Sequence, residues 1–159
     1  RRFFEDRDGF LSQLYKEITS AIKSTKRKEL KSCFRLNLTS DLPWESMVVK
    51  YFPFAQFYDY TKHLKRFAGY LEGKLPTNYH LTYSRSEETP DSLVKSLCAS
   101  GGNVAVVFRD HLPETWLGIE VIDGDDSDLR FQDGKGKIVG LVEKGKAKDD
   151  ETGFVVDLT

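Results

Sequence analysis

The chain has 159 residues, long enough to bury a real core as one domain and short enough to make several unlike domains improbable. Hydrophobic residues make up 39% and charged residues 31%, with a mean hydropathy of -0.48, which excludes a disordered chain and describes a soluble globular one. A formal net charge of -1 excludes a surface that coats nucleic acid by charge alone, and no apolar run is long enough to cross a bilayer.

Taken in order, the chain opens with "RRFFEDRDGF", two adjacent aromatics ahead of a helix start and no initiator Met. We read it as the C-terminal fragment of a longer protein, with residues 1–159 forming a single α/β domain. Asp8 is the expected N-cap of a helix whose apolar stripe runs Phe10, Leu11, Leu14, Tyr15, Ile18, Ile22. That helix fades into the basic, solvated "KSTKRKELKS". "SCFRLNLTS" then alternates with period two, Phe34, Leu36 and Leu38 against Arg35, Asn37 and Thr39, and reads as a strand. In "SDLPWE", Ser40 or Asp41 caps a short helix with Pro43 in its first turn.

"AQFYDYT" is the next strand, "KHLKRFAGYLEGK" a short helix or an irregular link, and "NYHLTYSR" a further strand. "TPDSLVKSLCASG" reads as a helix capped by Thr89, with Pro90 first and Gly101 as its stop. "NVAVVFR" is a near-continuous apolar strand of the kind covered on both faces. "TWLGIEVIDG", "GKIVGLVEKG" and "GFVVDL" follow as shorter strands between glycine turns. Strand and helix alternate at short spacing. The expected fold is therefore α/β, either a partial (β/α) barrel or an open, mainly parallel sheet, with a β-rich C-terminal tail.

Several strands carry polar groups where such a sheet wants apolar ones. Arg35, Asn37 and Thr39 share a face, His80, Thr82 and Ser84 another, Asp59 interrupts an aromatic run and Arg109 ends the most apolar strand. Burying them unpaired costs on the order of a few kcal/mol each. Ligands on such sheets bind at the carboxyl ends of the strands. Those ends supply Ser40 and Asp41, then Asp59, Tyr60 and Lys62, then Ser84 and Arg85, then Arg109, then Asp123. In this reading Arg35, Asn37, Ser40, Asp41, Tyr60, Lys62, Ser84, Arg85 and Arg109 bind ligand. Asp59, His80 and Asp123 are the candidate catalytic groups.

"VIDGDDSDLRFQD" places five aspartates in thirteen residues. A calcium loop is excluded, because Asp128 stands where the loop glycine belongs and Gly134 where a bidentate Glu belongs. Asp125, Asp126 and Asp133 read as turn formers, while Asp123 and Asp128 are candidate ligands for Mg²⁺ or Mn²⁺. His63 and His111 have no partner at a zinc-ligand spacing from His80. Cys33 and Cys98 read as buried thiols of a reducing cytoplasm.

Together "RFFEDR", "RLNLTSDLPWE", "QFYDYTK", "NYHLTYSRSE", "NVAVVF", "VIDGDDSDLRF", "IVGLVEKGKA" and "TGFVV" resemble the phage and prophage Gene product eighty-eight domain group, over nearly the whole chain. The matching positions are Arg35, Asn37, Ser40, Asp41, Asp59, Tyr60, Lys62, His80, Ser84, Arg85, Asp123, Asp126 and Arg130. The resemblance implies a relative of radical-SAM-type partial barrels, whose iron-sulfur cluster would need cysteines upstream of this sequence. It carries no catalytic assignment. The expected function is an enzyme core for a small anionic, phosphate-bearing or nucleotide-like ligand, in the cytoplasm of a bacterial host and away from membranes. Two alternatives stay open: a metal-dependent phosphodiesterase or nuclease, and a non-catalytic module that binds nucleic acid or protein.

Overall fold

A computed structural model describes residues 2–158. A four-residue helix, α1 (Arg2–Glu5), leads into α2 (Arg7–Arg27), and the residue that caps α2 is Asp6, not Asp8. Asp6 sits at a non-helical φ of -144° and its carboxylate accepts the Gly9 N–H at 3.0 Å, while Asp8 falls inside the first turn. Strand β1 (Cys33–Phe34) leaves the sheet after two residues, earlier than its alternation predicts. The reason is Asn37, whose backbone and side chain are drawn into a buried network described below.

The order then follows the expected alternation: α3 (Trp44–Met47), β2 (Gln56–Thr61), α4 (Leu64–Leu71), β3 (Tyr79–Ser84), α5 (Asp91–Ala99), β4 (Val104–Phe108). Helix α5 starts one residue later than expected. Pro90 is its N-cap, and the Thr89 hydroxyl turns back to accept the Ser86 N–H instead. Strands β5 (Thr115–Trp116) and β6 (Ile119–Asp123) form a hairpin across Leu117 and Gly118. Both turn residues lie in the left-handed region, at φ 54° and 80°, as a primed two-residue turn requires. Strands β7 (Ile138–Val142) and β8 (Val155–Val156) complete the set.

The sheet runs β1-β2-β3-β4-β7-β6-β5, parallel except for the β5–β6 pair. It does not close into a barrel, so the open-sheet form of the α/β expectation is the one adopted. Its two margins, β1 and β5, are two residues long each. In the middle the sheet forks. Strand β3 pairs with β4 only at Val104 and Ala105, and β8 pairs with β4 at Val107 and Phe108. Because β7 holds the other edge of β4 along its full length, β8 fills the gap that β3 leaves.

Parallel pairing fixes which side chains share a face. Tyr58 lies beside His80 and Tyr60 beside Thr82, whereas Asp59 lies beside Leu81. Phe67 of α4 packs on Tyr83 and Arg66 bonds Tyr79, so Tyr79, Leu81 and Tyr83 face the helices. That face is the main core, with Trp44, Phe57, Phe67, Leu81, Val94, Val104, Val106 and Phe108 all buried. The opposite face carries Tyr58, Tyr60, His80, Thr82 and Ser84. It is covered by the segment 124–137, whose single 3₁₀ turn, Arg130–Gln132, packs on β3 and whose Phe131 meets Tyr58.

Candidate functional site

The polar residues singled out above divide between the two faces. On the helix face, Asn37 is a hub. Its side-chain carbonyl accepts from Ser40 Oγ, Leu42 N and Trp44 Nε1 at 2.8, 3.0 and 2.8 Å. Its backbone N–H donates to Asp59 Oδ1 at 2.8 Å, and its amide donates to Asp59 Oδ2 and Leu42 O. Tyr79 donates to Asp59 Oδ2 at 2.7 Å and accepts from Arg66, which also grips Glu45 and Asp41. Asp41 in turn receives Thr61 Oγ1 and Lys62 N. Asn37 and Asp59 therefore hold α3, α4 and β2 together. Burial dominates the titration of Asp59 and pushes its carboxyl up to about 6, against the opposing hydrogen bonds from Tyr79 and Asn37. Glu45, Arg66 and Tyr79 are the members of this network that sequence patterning does not reveal.

On the other face the strand ends meet in a cleft of about 470 Å³, lined by Arg35, Leu38, Tyr60, Ser84, Gly124 and Asp128 among others. A neighbouring cleft of about 330 Å³ shares Tyr60 and Ser84 and adds Ser40, Asp41, Lys62 and His63. The guanidinium of Arg35 lies 4.7 Å from the Tyr60 ring centre, and its Nη1 donates to both oxygens of Asp128 at 3.0 and 3.3 Å. Its Nε is buried and has no partner. Asp128 also accepts from Tyr58, whose hydroxyl is pushed up to about 12, first by burial and then by that carboxylate. Gly124 shapes the wall. A Cβ there would come within 2.6 Å of Val139 Cγ1, so only glycine lets the loop leave β6 this close to β7.

Deeper on the same face, His80 and Thr82 lie under the 124–137 segment. His80 meets the Tyr70 hydroxyl at 3.0 Å through Nδ1, and burial followed by the charge of Arg130 lowers its pKa to about 4. Arg130 is 1% exposed, the largest fully buried side chain among the described residues. Patterning gives no sign of it; only the family resemblance includes the position.

Other predicted residues lie elsewhere. Arg85 donates to the carbonyls of Gly153 and Phe154, and Arg109 to those of Lys148 and Asp150, so both pin the segment that leads into β8. The cleft of about 600 Å³ beside Arg109 is rimmed by Asp149, Asp150, Glu151 and Asp157 and does not suit an anion. A cleft of about 730 Å³ between Lys26, Lys31, Phe54 and Asn78 lies at the amino ends of the strands, where α/β folds do not usually place ligands. Asp123 is exposed, and its carboxylate closes a turn by accepting Asp125 N at 2.8 Å. Asp125 braces the end of β7 through Val142 N and Lys144, and Asp133 lies beside Arg130.

The expected Mg²⁺ or Mn²⁺ pair does not assemble: Asp123 is committed to its turn and Asp128 to Arg35. Among the described residues no group of three or more His, Cys, Asp or Glu side chains is placed to hold a metal ion. Cys33 on β1 and Cys98 on α5 are free thiols on separate elements and do not fit an iron-sulfur cluster. Among the described residues no helix is long and apolar enough to cross a membrane.

The sequence model of a family described as Gene product 88 matches residues 1–158. No curated protein and no solved structure matches the chain.

Proposed function

We propose, for a chain that belongs to the Gene product 88 family, that it binds a small phosphate-bearing, nucleotide-like molecule in the cleft at the carboxyl ends of β1, β2, β3 and β6, as the core of an enzyme. Arg35 carries the proposal. It is a guanidinium at a strand end, backed by the Tyr60 ring, with a buried Nε that no protein acceptor meets and an Nη1 held only by a half-exposed carboxylate. Exposed pairs of this kind contribute little to stability, about 0–1 kcal/mol, so a phosphate oxygen can take the place of Asp128 without endangering the fold. The fork geometry of arginine suits a phosphate, the Tyr60 ring offers an edge or face to a base, and Ser84 offers a hydroxyl.

Acid-base chemistry is not assigned. A proton-transfer residue works best with a pKa near the operating pH. His80, near 4, and Tyr58, near 12, lie far from neutrality, and Asp59, near 6, faces the helices rather than the cleft. A radical-SAM-type reading would need a cluster that the residues of this chain do not supply, so the proposal rests on the cleft alone.

Calorimetric titration with adenosine monophosphate tests it. The wild-type chain binds, Arg35→Gln weakens binding at least about tenfold, as loss of a hydrogen bond to a charged group does, and Lys95→Gln on the outer helix α5 leaves it unchanged. Absence of wild-type binding, or equal binding by Arg35→Gln, overturns it.

A further inference from the structure

Resting on that reading, we infer that the cleft has an inner floor beneath the 124–137 segment, where Thr82, His80 and Arg130 receive a second anionic group, so that the ligand is a diphosphate rather than a monophosphate.

The floor lies on the same strand face as the cleft. Ser84 and Tyr60 line the cleft wall, Thr82 is two residues before Ser84 on the same strand face, and Thr82 is the register partner of Tyr60. His80 is two residues further in. Along this line lie buried polar atoms with no hydrogen-bond partner: Thr82 Oγ1, His80 Nε2, and Nε and Nη1 of Arg130. Buried polar groups in folded proteins are almost always partnered, so several orphans on one face mark a place built for something else. The residues themselves are deeply enclosed, Thr82 at 0% and Arg130 at 1% exposure.

Their chemistry has one sign. Arginine has donors only, and the Thr82 hydroxyl donates freely. The His80 ring meets the Tyr70 hydroxyl through Nδ1, and in the tautomer that carries its proton on Nε2 that nitrogen donates as well. Arg130 Nε is ion-paired with Asp133 Oδ2 at 3.4 Å and Nη2 donates to Ser127 O, which leaves Nη1 as the guanidinium nitrogen without a partner. Thr82 Oγ1 and Arg130 Nη1 are donors, which a phosphoryl oxygen satisfies. The pKa of the Tyr60 hydroxyl is raised mainly by burial, with Arg130 and Arg35 opposing that rise and Asp128 and Asp133 adding to it.

The segment above covers the floor between two fixed ends. Asn103 fixes its far end, binding Gly134 O and Lys137 N, and Gly124 fixes its near end to Gly140. Between these anchors Asp125 holds Val142 N and Lys144, Phe131 packs on Tyr58, and Asp128 holds Arg35 and Tyr58. An incoming phosphate that takes Arg35 displaces Asp128, a tie of the segment that lines the cleft.

Titration of the full chain with inorganic pyrophosphate and inorganic phosphate tests the inner subsite. Wild type is expected to bind pyrophosphate at least about tenfold more tightly than phosphate. Thr82→Val preserves shape and removes only the unpartnered hydroxyl. It is expected to weaken pyrophosphate about tenfold and leave phosphate within about twofold. It should also be as heat-stable as wild type or more so, because an orphan hydroxyl is removed. Equal wild-type affinities, an unchanged pyrophosphate affinity in Thr82→Val, or a clear loss of its heat stability overturns the subsite and leaves the outer cleft standing. Failure of wild type to bind either anion overturns both.

Discussion

Replacing Asp59 by Asn should abolish a pH-dependence of stability that this one carboxyl imposes. Asp59 is 0% exposed, and burial moves its pKa from 3.8 to about 6. The folded state therefore holds the proton more tightly than the unfolded chain does. The resulting stabilisation is fully present below the unfolded value of 3.8 and is lost as pH rises toward 6. About two pKa units correspond to roughly 3 kcal/mol in full, of which about 2–3 kcal/mol falls between about pH 4 and about pH 7. Asn at this position is always neutral. Its own hydrogen bonding to Asn37 and Tyr79 changes stability by an amount that does not vary with pH. Urea unfolding of both proteins, followed by circular dichroism across that range, isolates the effect. Relative to wild type, Asp59→Asn should gain about 2–3 kcal/mol on going from acid to neutral pH. A flat difference would refute the reasoning. A difference of opposite sign would mean that the hydrogen bonds from Asn37 and Tyr79 outweigh desolvation.

Asn37→Ala should cost about 3–4 kcal/mol in urea unfolding, because it strips the buried Asp59 of a donor and leaves Trp44 Nε1 without an acceptor; a cost under about 1 kcal/mol would count against the hub. Arg85→Ala should leave global stability within about 1 kcal/mol yet accelerate amide exchange at Val155 and Val156 at least about tenfold, since it frees the carbonyls of Gly153 and Phe154. Unchanged exchange there would show that pairing with β4 alone holds β8.

The strands that pair along their length were legible because their periodicity is local. "QFYDYT", "YHLTYS", "VAVVF" and "IVGLV" occupy β2, β3, β4 and β7 nearly as read. What failed depended on partners distant in sequence. Alternation through Thr39 promised a longer β1, but Asn37 is claimed by Asp59, twenty-two residues away, and the chain turns to follow it. Asp59 and His80 both looked like inward polar residues, yet whether they share a face depends on register across β2 and β3, which one sequence does not display. They point opposite ways. Arg85 and Arg109 were read as anion binders because arginine at a strand end has that chemistry; here backbone carbonyls of the C-terminal segment reach them first. Within the aspartate loop, Asp125, expected as a turn former, braces β7, and Asp128, expected as a metal ligand, takes Arg35. Arg130 gave no periodic signal, since a charged residue inside an acidic loop looks solvated until the loop is seen folded against β3.

The brevity of the outermost strands has a consequence for how copies of this protein meet. A sheet grows between molecules by offering a ladder of unused amide and carbonyl groups along its border. At either border here a newcomer would find a run of two residues, one ending where Asn37 draws the chain away and the other closed by a tight hairpin. Growth through β1 or β5 themselves has only a two-residue template, so a neighbouring chain would have to use the lengths of β2 and β6 that these short strands leave without a strand partner.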